Sequence, residues 1–148
     1  MTTESIRVSG LIPANPERVY RAWLDAEEHS AMTGGTATVD PRVGGRFTAW
    51  DGYIEGETLA IEPPSRVLQT WRTTQFPEDA KDSLLEVLFQ PEEGGTRVTF
   101  VHTDIPEDQG ALYEQGWADH YLTPMQAHFA EAASPETQPA AKEIAPTE

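Results

Sequence analysis

Apolar and polar residues alternate at the start of the chain. Within residues 4–12, Ile6 and Val8 fall on one face and Arg7 on the opposite one. Pro13 then ends the run. An alternation with a period of two residues predicts a strand with one buried face. The chain therefore begins with a half-buried strand.

Two short helices are predicted directly after this strand. Asn15 followed by Pro16 provides an N-cap and a proline at the first helical position, and apolar residues then recur at helical spacing up to Leu24. Asp25 followed by Glu28 has the spacing of a second capping box. A pair of glycines ends the second helix, so we expect the two helices to lie end to end.

Residues 37–104 contain short apolar runs separated by turn residues, which predicts at least five antiparallel strands. The sharpest turn signal is Asp51-Gly52, because this pair tolerates the positive φ values of a type I′ hairpin. Such a hairpin pairs Phe47 with Gly56. Strict alternation beyond the hairpin would put Leu59 and Ile61 on the face opposite Ile54. A β-bulge at Gly56 would shift the phase by one residue, so we expect a bulge there.

The longest apolar stripe at helical spacing lies near the C-terminus. Between Leu112 and Ala132, this stripe predicts one long amphipathic helix. Pro124 lies inside the helix and removes one backbone hydrogen bond. Either the helix kinks there or Thr123 caps a second segment, and we expect the kink. Residues 134–148 are rich in Pro, Ala and Glu and contain one large apolar residue, which predicts a disordered tail.

The order of these elements predicts an α+β fold, because the strands do not alternate with crossover helices. Hairpin connections imply an antiparallel sheet, and its apolar face needs a cover. The long C-terminal helix is the element available for this purpose. We therefore expect a helix-grip fold, in which a curved sheet of about six to seven strands wraps around that helix and encloses an apolar cavity. One domain would span residues 1–133, and the tail 134–148.

The composition narrows the environment and the partners. The chain has 25 acidic and 10 basic residues, and its net charge of −15 repels phosphate backbones and anionic lipid surfaces. We expect no binding to nucleic acid or membranes. The sequence contains no cysteine and no pattern of a secretory signal at its N-terminus. These features favour a cytoplasmic protein, as a monomer or a homodimer.

A set of short segments connects the chain to a known superfamily. The segments are Val19–Asp25, Gly44–Phe47, Asp51–Gly56, Gln69–Arg72, Gly95–Val98 and Gly116–Trp117. In this order they resemble the SRPBCC/START-like superfamily of Bet v 1-like proteins, and within it the domain of the activator of the ninety-kilodalton heat-shock chaperone ATPase. Ala-Met-Thr-Gly-Gly at residues 31–35 stands where much of the superfamily has a tryptophan pair, which is closer to the chaperone-activator branch than to the cyclase-like branches. The resemblance implies the helix-grip fold and, more loosely, a chaperone partner.

Aromatic residues of the predicted sheet and helix are the candidates for a ligand site. Between the sheet and the helix they either line a pocket or fill the core. Trp71 and Trp117 favour a pocket, because a buried indole N–H needs a hydrogen-bond partner. The predicted cavity wall comprises Phe47, Ile54, Trp71, Phe89, Phe100, His102, Trp117, Tyr121 and Met125.

Histidines and acids form no catalytic or metal-binding pattern. The four histidines contain no His-x-x-x-His pair, so we expect no metal and no other cofactor. His102 belongs to the inner face of its strand, where a hydrogen-bonded core histidine is favoured over a ligand contact. The acidic runs fall in loops and at helix starts, where carboxylates are solvated. No catalytic residue is predicted.

Three functional hypotheses follow. The first is a non-catalytic module that binds a small hydrophobic ligand in the cavity. The second, about level with the first, is a co-chaperone-like protein that docks on the heat-shock chaperone through its sheet and modulates the chaperone ATPase. The third is an enzyme of the cyclase or hydratase type. The third ranks last because the sequence shows no acid–base pair.

Overall fold

Seven strands form the framework of the molecule in the computed structural model, which describes residues 3–132. The strands are β1 (Thr3–Ile12), β2 (Thr38–Val39), β3 (Arg46–Ala49), β4 (Ile54–Glu62), β5 (Arg66–Thr73), β6 (Ser83–Glu92) and β7 (Gly95–Pro106). They pair antiparallel in one sheet with the order β1-β7-β6-β5-β4-β3-β2. The predicted tail, residues 134–148, lies outside the described residues.

The helices occur at the predicted positions in the sequence, two after the first strand and the others after the last strand. They are α1 (Pro16–Leu24), α2 (Ala26–Thr33), α3 (Gly110–Gly116), a π-helical turn (Trp117–Leu122) and α4 (Thr123–Ala132). The last three run on without a break, and we call them together the C-terminal helix. Phe100 of β7 stacks on Trp117 of this helix with ring centroids 4.4 Å apart. The C-terminal helix thus packs on one face of the sheet, and the α+β helix-grip fold is confirmed.

The first two helices begin as their sequences predict. The Asn15 side chain accepts a hydrogen bond from the Arg18 backbone N–H at 2.8 Å, and the Asp25 side chain accepts one from Glu27 N–H at 3.4 Å. The reciprocal half of the second capping box is absent from the described contacts, since the Glu28 carboxylate binds the Arg18 guanidinium and His128 Nε2 instead. Glu28 therefore connects three helices rather than closing one.

The Asp51-Gly52 turn has the predicted geometry. Asp51 and Gly52 have φ values of 60° and 91°, and the Tyr53 N–H donates to the Trp50 carbonyl at 3.1 Å. Phe47 pairs with Gly56 as expected. Trp50 also has a positive φ, 52°, so the regular strand β3 already ends at Ala49. Trp50 therefore does not follow the alternation of inward and outward side chains along β3.

The bulge predicted at Gly56 is wrong. Gly56 pairs with Phe47 without a shift in the β3–β4 register. A Cβ at Gly56 would lie 2.0 Å from the Thr70 carbonyl oxygen, so the glycine allows β4 and β5 to approach closely. The register shift lies further along, between Thr58 and Ala60 in the β4–β5 pair. Leu59 is therefore 39% exposed, while Thr58 is buried.

An irregularity precedes the proline of the C-terminal helix. In the π-helical turn, the Thr123 N–H donates to the Ala118 carbonyl, five residues earlier. Pro124 comes next and has no N–H, so it cannot donate the regular helical hydrogen bond to the carbonyl four residues earlier. The π-helical hydrogen bond of Thr123 therefore lies directly before the position where a helical hydrogen bond is missing. The turn brings Trp117, Tyr121 and Leu122 into the core together.

Candidate functional site

A cavity of about 360 Å³ lies between the β3–β4 hairpin, β5 and the C-terminal helix. We call it the large cavity, to distinguish it from a smaller space behind its floor. Its floor is apolar and buried, and comprises Ile54, Trp71, Trp117 and Tyr121. Its rim is exposed and includes Leu112, Gln115 and His120. The volume falls in the range of small-molecule sites, about 300–1,000 Å³.

A second space of about 20 Å³, the small cavity, lies behind part of this floor. Ile54, Trp71 and Tyr121 border both spaces, so these three side chains are the boundary between them. His29 of α2 and Phe47 of β3 also line the small cavity. The small cavity has room for about one water-sized group.

The nine predicted wall residues divide into two groups. The residues that border at least one of the two cavities are Phe47, Ile54, Trp71, Trp117 and Tyr121. The residues that are buried but border neither are Phe89, Phe100, His102 and Met125. All nine belong to the interior between sheet and helix, and their binding of a ligand stays a prediction.

Sequence reasoning did not select three residues that matter here: Trp50, Tyr113 and His29. Trp50 and Tyr113 line the large cavity, and His29 lines the small one. An aromatic residue directly before an Asp-Gly turn was an available signal for Trp50. No sequence signal points to His29, because α2 is short and lacks a clear apolar stripe.

His102 lies at the centre of a hydrogen-bond chain beneath the large cavity. The Trp117 indole N–H donates to His102 Nδ1 at 3.1 Å, because an indole nitrogen can only donate. His102 Nε2–H must then donate to Ser83 Oγ, 2.8 Å away. The Ser83 hydroxyl donates a hydrogen bond to the Trp71 carbonyl oxygen at 2.7 Å. Both ring nitrogens are occupied, so His102 acts as a hydrogen-bonded core residue.

Burial keeps this histidine neutral. Desolvation lowers the pKa of His102 from 6.5 to about 3. Tyr113, whose hydroxyl bonds Thr73 Oγ1 at 2.7 Å and Gln109 Oε1 at 2.6 Å, has a pKa that burial raises to about 12. Burial also raises the pKa of Tyr121. These three titratable groups, in and around the floor, are therefore uncharged at neutral pH.

The wall of the large cavity carries no fixed charge among its described residues. They comprise aromatic and aliphatic side chains, a glutamine, a glycine and a histidine, without a carboxylate, lysine or arginine. Trp71 and Trp117 lie 5.5 Å apart between ring centroids, and Trp117 and Tyr121 lie 4.7 Å apart. Such a surface favours contact with flat, uncharged, apolar molecules.

The chain is similar to known proteins over most of its length. Residues 13–130 match the sequence profile of the family described as "Activator of Hsp90 ATPase homolog 1-like protein". The chain belongs to this family. The activator of 90 kDa heat shock protein ATPase homolog of Dictyostelium discoideum is 25% identical over 121 residues, which cover 82% of this chain and 32% of that protein. The human homolog 1 is 27% identical over 115 residues, which cover 78% of this chain and 34% of that protein.

The chain thus spans about a third of the length of these curated relatives. Among solved structures, an HSP90 activator from Plasmodium falciparum superposes with a TM-score of 0.75 at 26% identity, covering 85% of this chain and 96% of that one. CalU16 from Micromonospora echinospora gives a TM-score of 0.73 at 25% identity, covering 91% of this chain and 80% of that one. The Aha1 of Colwellia psychrerythraea, solved as a dimer, shares the fold at 19% identity with a TM-score of 0.71, covering 85% and 96%.

These findings confirm the resemblance to the chaperone-activator branch of the SRPBCC superfamily. They identify an SRPBCC or activator-like protein, and the names of the curated relatives describe regulators rather than catalysts. Among residues 3–132, no helix is long and apolar enough to cross a membrane.

Proposed function

We propose that this protein binds a small, uncharged, largely apolar ligand in the large cavity and performs no catalysis. The observation that carries the proposal is a cavity of about 360 Å³ with a buried aromatic floor and an exposed rim. An open pocket of this size, with an apolar aromatic floor and a few polar groups at its rim, is the usual form of a small-molecule site.

The exposure of Leu112 at the mouth of the large cavity is consistent with a bound ligand there. Its side chain is 50% exposed, although it belongs to the amphipathic C-terminal helix and lies beside the buried floor. An apolar rim residue in this position would lose its contact with water when a ligand enters. The same holds for Trp50, which is half-buried and lies edge-on to Tyr121 with ring centroids 6.3 Å apart.

The buried titratable groups in and beneath the wall do not offer an acid–base catalyst. A general base near neutral pH needs a free lone pair and a pKa close to the working pH. His102 has both nitrogens bonded and a pKa of about 3. Tyr113, with a pKa of about 12, is a poor acid. The cyclase or hydratase hypothesis has no support from these groups.

A titration with an uncharged fluorescent probe tests the proposal. N-phenyl-1-naphthylamine should bind saturably with one site per chain, and its emission should rise as it leaves water. Naphthalene, which has no charge and no hydrogen-bond donor, should displace it. A linear, non-saturating rise in emission, or a probe that no apolar competitor displaces, would overturn ligand binding in the cavity.

Docking on the heat-shock chaperone is the second candidate function, and family membership favours it. The relatives in Dictyostelium and human are named as activators of a 90 kDa heat shock protein ATPase. We propose that this chain contacts the chaperone of its own cell through the sheet face opposite the C-terminal helix. The test is the chaperone's ATPase rate with and without the protein. An unchanged rate at saturating protein, together with no co-sedimentation, would overturn this candidate.

A further inference from the structure

His29 has one ring nitrogen bonded and one free of partners. The residue lies in α2 and is 6% exposed. Its Nδ1 lies 3.0 Å from the Trp23 carbonyl oxygen, which can only accept, so Nδ1 carries the proton and donates. Burial lowers the pKa of His29, which keeps the ring neutral. Nε2 therefore presents a lone pair.

No described residue donates to that lone pair. Within the part of the chain that the structure describes, His29 Nε2 is the one buried side-chain nitrogen or oxygen without a hydrogen-bond partner. His102 shows what a purely structural histidine looks like in the same core, since both of its nitrogens are paired. Buried acceptors are paired as a rule, so the exception calls for a donor.

The position of His29 indicates where the donor comes from. His29 lines the small cavity, whose other walls include Ile54, Trp71 and Tyr121. The same three side chains form part of the floor of the large cavity. The His29 ring lies 6.0 Å from the Tyr121 ring between centroids, in an edge-to-face arrangement. A ligand seated in the large cavity is thus separated from the small one by these side chains alone.

We propose that His29 Nε2 accepts a hydrogen bond from a hydroxyl group at one end of the ligand. This inference rests on the proposed ligand binding and narrows the ligand to hydroxylated aromatic molecules, such as phenols and naphthols. The aromatic body occupies the large cavity, and the boundary side chains Ile54, Trp71 and Tyr121 shift to admit the hydroxyl to the small cavity, which has room for one group of that size. A carboxylate is disfavoured because it would place a negative charge against a lone pair in an apolar site.

Two variants of His29 separate the acceptor from the structural bond. His29→Asn places an amide N–H near the position of Nδ1, so the bond to the Trp23 carbonyl can persist while the acceptor at Nε2 is lost. His29→Gln places its amide group near the position of Nε2 and can restore an acceptor. Thermal unfolding of both variants shows whether each is folded before binding is compared.

The measurement is the ratio of affinities for 2-naphthol and naphthalene. The wild-type protein should prefer 2-naphthol by roughly three- to tenfold, the effect of one neutral hydrogen bond. His29→Asn should reduce the ratio to about one with little change for naphthalene, and His29→Gln should restore part of the preference. Equal affinities in the wild-type protein, or a preference that survives in His29→Asn, would overturn the inference and leave the proposed function standing.

Nitrogen NMR of histidine-labelled wild-type protein gives a second readout that needs no variant. His29 and His102 carry their protons on different ring nitrogens, so their resonances are distinguishable. The His29 Nε2 resonance should move on addition of 2-naphthol and stay with naphthalene. A resonance already shifted in the free protein and insensitive to both probes would mean a structural water instead, and overturns the inference. If neither probe binds at all, the proposed function and this inference both fail.

Discussion

The indole N–H of Trp117 donates a hydrogen bond to His102 Nδ1 over 3.1 Å. This bond joins the C-terminal helix to β7, and it places the Trp117 ring flat against Phe100. Because His102 in turn bonds Ser83 of β6, one buried chain of polar groups connects the helix to two strands. The floor of the large cavity therefore rests on a polar network.

Removing the donor of this network should destabilise the protein. In Trp117→Phe the lone pair of His102 Nδ1 loses its partner, and the free energy of unfolding should fall by about 2 kcal/mol or more. Chemical denaturation measures this change. His102→Phe and the double variant complete a cycle, and the double variant should lose less than the sum of the two single losses. Additive losses would mean that the two side chains do not interact.

Stability should depend on pH through the buried histidines. His102 has a folded-state pKa of about 3 against an ordinary value of 6.5, so between these pH values the unfolded chain binds more protons than the folded one. Its contribution is complete above pH 6.5 and is lost as the pH falls toward 3. The slope from this group approaches about 1.4 kcal/mol per pH unit. The lowered pKa of His29 acts in the same direction.

Unfolding at several pH values checks this expectation. In His102→Gln, the free energy of unfolding should change less steeply between about pH 4 and pH 6 than in the wild-type protein, because one titrating group is gone. A residual slope should remain from the other groups. An identical slope in both proteins would show that His102 titrates alike in the folded and unfolded states.

Filling the large cavity should abolish binding of an apolar probe without unfolding the protein. Gly116 lines the cavity, and a Cβ at this position meets no atom within 4 Å. Gly116→Phe should therefore lower probe affinity at least about tenfold, since a side chain occupies the site. Glu114→Phe is the matched control, because it adds the same ring to an exposed position of the same helix outside the cavity wall. Equal losses in the two variants would contradict binding in the cavity.

Two glycine-to-alanine changes should have opposite effects on stability. In Gly56→Ala the new methyl group meets the Thr70 carbonyl oxygen at 2.0 Å, and the cost should be about 2 kcal/mol or more. Gly116 has helical backbone angles and open space, so Gly116→Ala should stabilise by about 0.5–1 kcal/mol. Thermal or urea unfolding compares them directly. Destabilisation of both variants to the same extent would contradict the close approach of β4 and β5 at Gly56.

Elements that depend on neighbouring residues could be predicted from the sequence alone. The Asn15 cap, the Asp51-Gly52 turn and the apolar stripe of the C-terminal helix involve contacts within a few positions, so their local chemistry is sufficient. Their order, together with the six family segments, was enough for the helix-grip fold. The large aromatic residues of the interior followed from the strand and helix periods.

The rest depends on contacts between residues far apart in the chain, which no local pattern contains. The β4–β5 register shift places the bulge at Leu59 and not at Gly56. Glu28 binds Arg18 of α1 and His128 of α4, because tertiary packing brings these two side chains to it. The tertiary structure likewise decides that His102 is fully paired and that His29 is not. The sequence by itself thus determined the fold and its aromatic interior. The packing of distant side chains alone determined the two cavities and the unpaired acceptor.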